Sequence, residues 1–349
     1  MGRAPRRPLH LEGQAHHGRR PHGRPLNPYD PDRATGGSSG GAAAALAARL
    51  TPLDVGTDLS GSIRMPAHFC GVLGLKPTIN RMPAAGLVAG SIDLPRLDRT
   101  LGVCGPMARS IEDLGLALRL LAGPHPSDPE VPPVPVSTVA ALAPPELEVA
   151  LSPTIPGIPV SADVRRTIER VSADLLAAGA RVTEQPLPFD FEELLACFRR
   201  MIRFPLAVLV AHGHAPPGAT RLVTDPPGAA ELFAALAERD QMIQRFEGWL
   251  AGCDAWICPA APTTAFPHRP LGQPIQVDGE SVSSQVIDPF CTLATYTGCP
   301  ALVVPIGRDP VGLPIGAQLI GRRWRDEHLL AVGQVVIDVA GGAPFAPDL

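Results

Sequence analysis

The stretch GGSSGGAAAALAARLTPLDVGTDLSGSIR, residues 36–64, sets two glycine-framed serine clusters close together, Ser38/Ser39 and Ser60/Ser62. One reading is a flexible linker, since Gly/Ser tracts are solvated coil. The neighbours argue for chemistry instead. The first cluster opens an Ala-rich helical run, and the second follows PLDVGTD, which reads as a strand. A glycine-rich loop feeding a helix N-terminus presents free N–H groups and the positive end of a dipole, which suits a developing negative charge. In TDLSGSIR the small residues at 60 and 61 let the backbone turn so that successive N–H groups converge beside the Ser62 hydroxyl. Those are the parts of an acyl-transfer site, where each oxyanion donor is worth about a hundredfold to a thousandfold in rate. Serine needs a base, and a second serine can pass the proton on, a role that falls to Ser38.

The rest of the chain bounds this reading. With 349 residues, 45% of them hydrophobic, there is ample material for a sizeable core. Aromatics are only 4% against 42 Pro and 35 Gly, so that core is built of Ala, Val, Leu and Ile. No apolar stretch approaches a membrane span, FPLAVLVA at 204–211 being among the most apolar, and no secretory h-region opens the chain. A cytoplasmic protein is the expectation. Seven Cys at 70, 104, 197, 253, 258, 291 and 299 form no C-x-x-C pair and read as reduced core thiols. Neither zinc nor another metal is indicated. Net charge is −4, but residues 1–26 carry six Arg against one Glu. That segment, rich in Arg, His, Pro and Gly, has no aromatics, no lysine and no amphipathic period, so it reads as a disordered tail foreign to the fold rather than a nucleic-acid arm. His16 and His17 in it offer at most a weak metal site.

From Asn27 on, strands and helices alternate. Ser110 caps a helix that stops at Gly123-Pro124, with Glu112 and Asp113 in its first turn. Residues 126–146 form a Pro-rich surface connector. LEVALSP is a strand, 163–178 a helix with Val164, Ile168, Val171 and Leu175 on one face, and ARVTEQPLP a second strand parallel to the first. A helix over about 229–251 precedes the buried strand DAWICPAAP. PALVVPIG and LPIGAQLIG form two strands joined by RDPVG, and DEHLLAVGQVVIDVA is a closing helix. The expected fold is α/β, a mixed β-sheet core with helices on both faces.

The run GGSSGGAAAALAARLTPLDVGTDLSGSIRMPAHFCGVLGLKPT resembles the core of the amidase signature family. NPYDPDRAT resembles that family's lead-in, GPMARSIEDLGLAL its next helix, and VVPIG with GLPIGAQLIG its C-terminal end, a match running discontinuously from Pro28 to about Asp338. The resemblance implies hydrolysis of carboxamide C–N bonds through a seryl acyl-enzyme, using a Ser, cis-Ser, Lys triad on an α/β/α fold and no cofactor. Carried over residue by residue, Ser62 is the nucleophile and Ser38 the cis-serine relay. Leu59, Ser60 and Gly61, with Ser62, supply oxyanion N–H groups, and Asp58, Arg64 and Ser39 support the loop. Ser60 stands where the family most often has Gly, which would strain a residue held at positive φ.

The family's base is a lysine upstream of the cis-serine. None precedes Ser38, and the only lysine in the chain, Lys76 in GLKPT, matches a structural position. Arginine cannot replace it, because it stays protonated in proteins. Residues 27–349 therefore read as an amidase domain incomplete at its N-terminus and impaired in turnover, with a non-catalytic remnant or binding protein as the alternative. A tRNA-dependent transamidation role is the further alternative. Reading GGSSG as an α/β-hydrolase elbow with His268 or His328 as base fails because NPYDPDRAT cannot be the strand an elbow requires. The expected partner is a small-molecule amide, with no nucleic acid and no membrane, and a homodimer remains open. Its pocket belongs to 190–300, where His212, Trp256 and Phe266 are candidate lining residues.

Overall fold

The apolar runs read as strands assemble into one mixed sheet whose two faces are sorted by strict alternation of side chains. The computed structural model describes residues 23–85, 99–213, 223, 225, 227–270, 272–284 and 289–342. Within them the strands are β1 (Leu53–Asp58), β2 (Leu73–Lys76), β3 (Val103–Ala108), β4 (Glu148–Leu151), β5 (Arg181–Thr183), β6 (Ala255–Pro259), β7 (Ile275–Val277), β8 (Glu280–Val282), β9 (Ala301–Arg308) and β10 (Pro314–Ile320). Eight of them form the sheet in the order β1-β3-β2-β9-β10-β6-β4-β5, and β7 pairs with β8 apart from it. β4 runs parallel to β5 and β6, while the pairs from β1 across to β6 are antiparallel. The sequence expectation of a mixed α/β/α sheet and of a parallel β4–β5 pair is met.

The helices are α1 (Gly40–Ala47), α2 (Arg64–Cys70), α3 (Ile111–Leu121), α4 (Ala162–Ala177), α5 (Phe191–Ala211), α6 (Ala229–Trp249), α7 (Pro289–Thr297) and α8 (Asp326–Val339). Because successive strand residues point to opposite faces, Leu302, Val304 and Ile306 of β9 join Ala317 and Leu319 of β10 in a cluster with α3, α4 and α8. Ala301 and Ile320 face the other way, into a cluster with α5, α6 and α7, and Val303 packs with α1 and α2. Each fully buried Leu, Ile or Val in these clusters is worth roughly 1.5–3 kcal/mol. Burial on both faces is why β9 and β10 read as unbroken apolar runs rather than alternating ones.

Local signals place the ends. The Ser110 hydroxyl accepts from the Asp113 N–H at 3.1 Å as the cap of α3, and Gly179 takes φ +95° just after α4. One expectation needs correction. The strand expected over ARVTEQPLP is only Arg181–Thr183, since Pro186 and Pro188 lack the N–H a ladder needs. The apolar run 204–211 is the end of α5, which carries Pro205 in its interior. No helix among the described residues is long and apolar enough to cross a membrane. Residues 1–22, with His16 and His17, lie outside the described residues.

Candidate active site

β1 delivers Asp58 to the turn that leads into α2, and the carboxylate organises that turn. Asp58 Oδ1 accepts from the Gly61 N–H at 2.9 Å, while Oδ2 accepts from the N–H groups of Ile63 at 3.1 Å and Arg64 at 3.3 Å. The chain reverses at Gly61, whose φ of +104° is open to glycine and strained for any other residue. A Cβ there would also stand 2.7 Å from Cys291 Sγ. Ser60 is not among the residues at positive φ, so serine in the glycine-preferring position carries no backbone penalty.

The two serine clusters meet. The Ser39 N–H donates to the Ser62 carbonyl at 3.0 Å, joining the segment before α1 to the turn before α2. Ser39 is buried against β1, where a Cβ on Gly56 would lie 2.5 Å from Ser39 Oγ. Gly36, at φ +74°, carries its Cα so close to Pro66 that an added Cβ would sit 3.0 Å from the Pro66 backbone, so glycines at 36 and 56 are what allow this close approach. The Gly37–Ser38 peptide is cis. Ser38, Ser60 and Ser62 are half-buried and Leu59 is partly exposed, which leaves the rim of the turn open to a ligand. Among the described residues, the N–H groups of Leu59, Ser60 and Ser62 have no hydrogen-bond acceptor. Gly61 departs from the expectation for an oxyanion donor, since its N–H is committed to Asp58.

Arg64 completes the clamp. Its Nε and Nη2 donate to Asp58 at 2.9 and 2.7 Å, its Nη1 to the Cys291 carbonyl at 2.9 Å and Gln318 Oε1 at 2.7 Å, and its Nη2 also to Thr295 Oγ1 at 2.9 Å. Both charged side chains are fully buried. Burial opposes the Asp58 charge, yet the guanidinium and the turn N–H groups outweigh it and hold the carboxyl below its usual range. Burial likewise opposes the Arg64 charge, and Asp58 prevails in holding it above its ordinary value. α2 is further tied to the β10 bulge at Gly316, whose N–H donates to His68 Nδ1 at 2.9 Å. Nδ1 also lies 3.1 Å from the Gly316 carbonyl and Nε2 3.1 Å from the Thr263 carbonyl, and burial holds the ring below its usual titration range.

Lys76 closes β2 and is buried. Its Nζ donates to the Pro77 carbonyl at 3.0 Å and the Cys299 carbonyl at 2.8 Å. Of the pocket candidates, Trp256 lies in the core with Nε1 on Ser152 Oγ, His212 is exposed at the end of α5, and Phe266 packs edge-on against Phe69. His268 and His328 bond Pro31 and Asp254, and no strand precedes Ser38 among the described residues, so the elbow reading has no structural support. The sequence reading missed Thr295, Cys291 and Gln318 as partners of Arg64. Gln318 had one signal, being the polar residue in the apolar run of β10.

The family model described as Amidase matches residues 14–204 and 222–330. A glutamyl-tRNA(Gln) amidotransferase subunit of Roseiflexus sp. (strain RS-1) is 33% identical over 365 residues, covering 93% of this chain and 70% of that protein. A crystal structure of an amidase superposes with a TM-score of 0.74 at 27% identity, covering 95% of this chain and 71% of the other. The glutamyl-tRNA(Gln) amidotransferase subunit from Thermotoga maritima does so with a TM-score of 0.71 at 25% identity, covering 93% and 71%. By its fold, the run from Gly36 to Arg64 and these matches, the chain belongs to the amidase signature family of enzymes.

Proposed function

We propose that this chain cleaves carboxamide C–N bonds by acyl transfer to Ser62 Oγ. The observation that carries the reading is the Ser39 N–H to Ser62 carbonyl bond, which brings the two serine clusters together beside a turn with free N–H groups. Ser62 Oγ attacks the carbonyl carbon, and the oxyanion that forms is met by the N–H groups of Leu59, Ser60 and Ser62. Gly61 shapes the turn rather than donating to it. The proton from Ser62 passes through Ser38 to the departing nitrogen, the amine leaves, and water then releases the acid from the ester.

The base is the weak point. The resemblance implies a lysine ahead of Ser38, and the chain's one lysine is engaged elsewhere, on the Pro77 and Cys299 carbonyls. A second reading, favoured by the name of the 33% identical relative, is release of nitrogen for transfer within an amidotransferase assembly.

A fluorophosphonate probe tests the first step without a known substrate. Labelling is expected on Ser62 and lost in Ser62→Ala; labelling undiminished in that variant sinks the assignment. Ammonia release from glutamine against release from benzamide and short aliphatic amides then separates transamidation from general amide hydrolysis.

A further inference from the structure

We propose that Lys76 is a positioning residue for the Ser62 turn, pinning the end of α7 as an uncharged amine. The proposal rests on Ser62 being the reacting group. A chain of contacts links the two. Gly74, two residues before Lys76 in β2, meets Ile63 and Ala67, so strand alternation points Lys76 toward the same layer as α2. Its Nζ holds the Cys299 carbonyl just after α7. On the same element, the Cys291 carbonyl and Thr295 hydroxyl accept from Arg64, and Arg64 holds the Asp58 carboxylate that draws in the N–H groups of Gly61 and Ile63. Every link between Lys76 and the turn is buried.

The partners of Lys76 fit –NH2 rather than –NH3+. A neutral amine has two N–H donors and meets two carbonyl acceptors here; an ammonium has a third donor with no acceptor among the described residues. The charged and titratable groups around it do not compensate. Arg64 of α2 is a like charge, and Asp58 of β1 is already bound to that Arg64. Asp326 of α8 accepts from the Thr78 N–H and hydroxyl, both at 2.7 Å. Cys299, before β9, is pushed up to about 11 by burial and stays a thiol near neutrality. Burial, and after it the Arg64 charge, bring Lys76 down to about 7. Protonation below that value places a second cation beside Arg64 and a homeless donor at the end of α7. Both loosen the grip on Asp58.

The experiment uses the intact chain with Lys76→Met, always uncharged, and Lys76→Arg, always charged. The rate of fluorophosphonate labelling of Ser62 is followed by mass spectrometry across the neutral range, with amide exchange at Gly61 and Ile63 corrected for intrinsic rates. In the parent, labelling falls as pH drops through about 7. Lys76→Met loses that acid limb and keeps a plateau within about tenfold of the parent, the loss matching its two missing hydrogen bonds. Lys76→Arg labels slowly at every pH. An acid limb unchanged in Lys76→Met, or parent-like labelling of Lys76→Arg, overturns the proposal. If the parent is not labelled at all, the fault lies with the base or with the assignment of Ser62 rather than with the role of Lys76, and exchange decides alone. Faster exchange of Gly61 and Ile63 in the parent on acidification, absent in Lys76→Met, supports the positioning role; equal exchange in both refutes it. Should Lys76→Arg fail to fold, the comparison of parent with Lys76→Met still decides.

Discussion

Asp58–Arg64 and Glu148–Arg181 are both carboxylate–guanidinium pairs at strand ends of the same sheet, one at each side of it. The first is fully buried; in the second, the Arg181 side chain is 67% exposed and that of Glu148 35%. Arg64 spends its remaining donors on Cys291, Thr295 and Gln318, and Asp58 accepts three backbone N–H groups. The Arg181 guanidinium meets Glu148, its register partner across β4 and β5. What a charge pair contributes therefore depends on what else its atoms must satisfy. Water replaces a lost partner at the β4–β5 edge, and nothing replaces one under the Ser62 turn.

The largest expected effect follows from that difference. Arg64→Met leaves the Asp58 charge buried without its guanidinium, which costs about 3–5 kcal/mol. Urea denaturation is the measurement, and fluorophosphonate labelling of Ser62 should be lost with it. Adding Asp58→Asn to Arg64→Met removes the orphaned charge and is expected to recover part of the loss, so the double-variant cycle is strongly non-additive. Additivity would mean that the two side chains do not act as a unit.

Lys76 sharpens the comparison, being a buried amine with no carboxylate partner among the described residues. The unfolded chain protonates it below the ordinary value of 10.5, the folded chain only near 7. Between those values the unfolded state binds the extra proton, so stability rises as pH increases from about 7 toward 10.5. Lys76→Met should flatten that slope. It should also raise stability at and below neutral pH, by up to a few kcal/mol once the lost hydrogen bonds are set against the relief. Urea midpoints at neutral and alkaline pH check this, and an unaltered slope in the variant would show that the amine is not the source.

Gly61→Ala tests the turn itself at about 1–3 kcal/mol, combining a positive φ with a Cβ in contact with Cys291 Sγ. Cys291→Ala in the same chain opens space for the methyl group but leaves the backbone penalty. Partial rescue in thermal unfolding is therefore expected. Full rescue would mean that the φ requirement is unimportant.

The same contrast explains what the sequence revealed. Ser110, Gly179 and the period of α4 are local signals, and they marked their elements correctly. β9 and β10 were legible because burial on both faces demands unbroken apolar runs. α7 was not: its nine residues include three threonines, and its worth lies in a carbonyl and a hydroxyl aimed at Arg64. Those contacts join residues more than two hundred positions apart, which no local periodicity encodes. The direction of the Gly61 N–H was equally hidden, because residue type permits a positive φ without fixing where the amide points. Asp58 and Arg64 entered through resemblance. The structure supplies the reason their types matter.

Arg181→Ala carries the smallest expected effect and the sharpest edge of the comparison. Glu148 loses its cation, but Asp254 Oδ2 still accepts from the Glu148 N–H at 2.9 Å, and the β4–β5 ladder uses backbone groups that the substitution leaves in place. The exposed carboxylate is rehydrated, and the entropy cost of holding a long arginine side chain in one geometry disappears with it. A change of about 0–1 kcal/mol is expected, shrinking further as salt screens the pair. Urea unfolding at low and high ionic strength measures it. A cost approaching that of Arg64→Met, persisting in high salt, would show that this edge is a dry, load-sharing part of the fold and that exposure is the wrong variable by which to rank the two pairs.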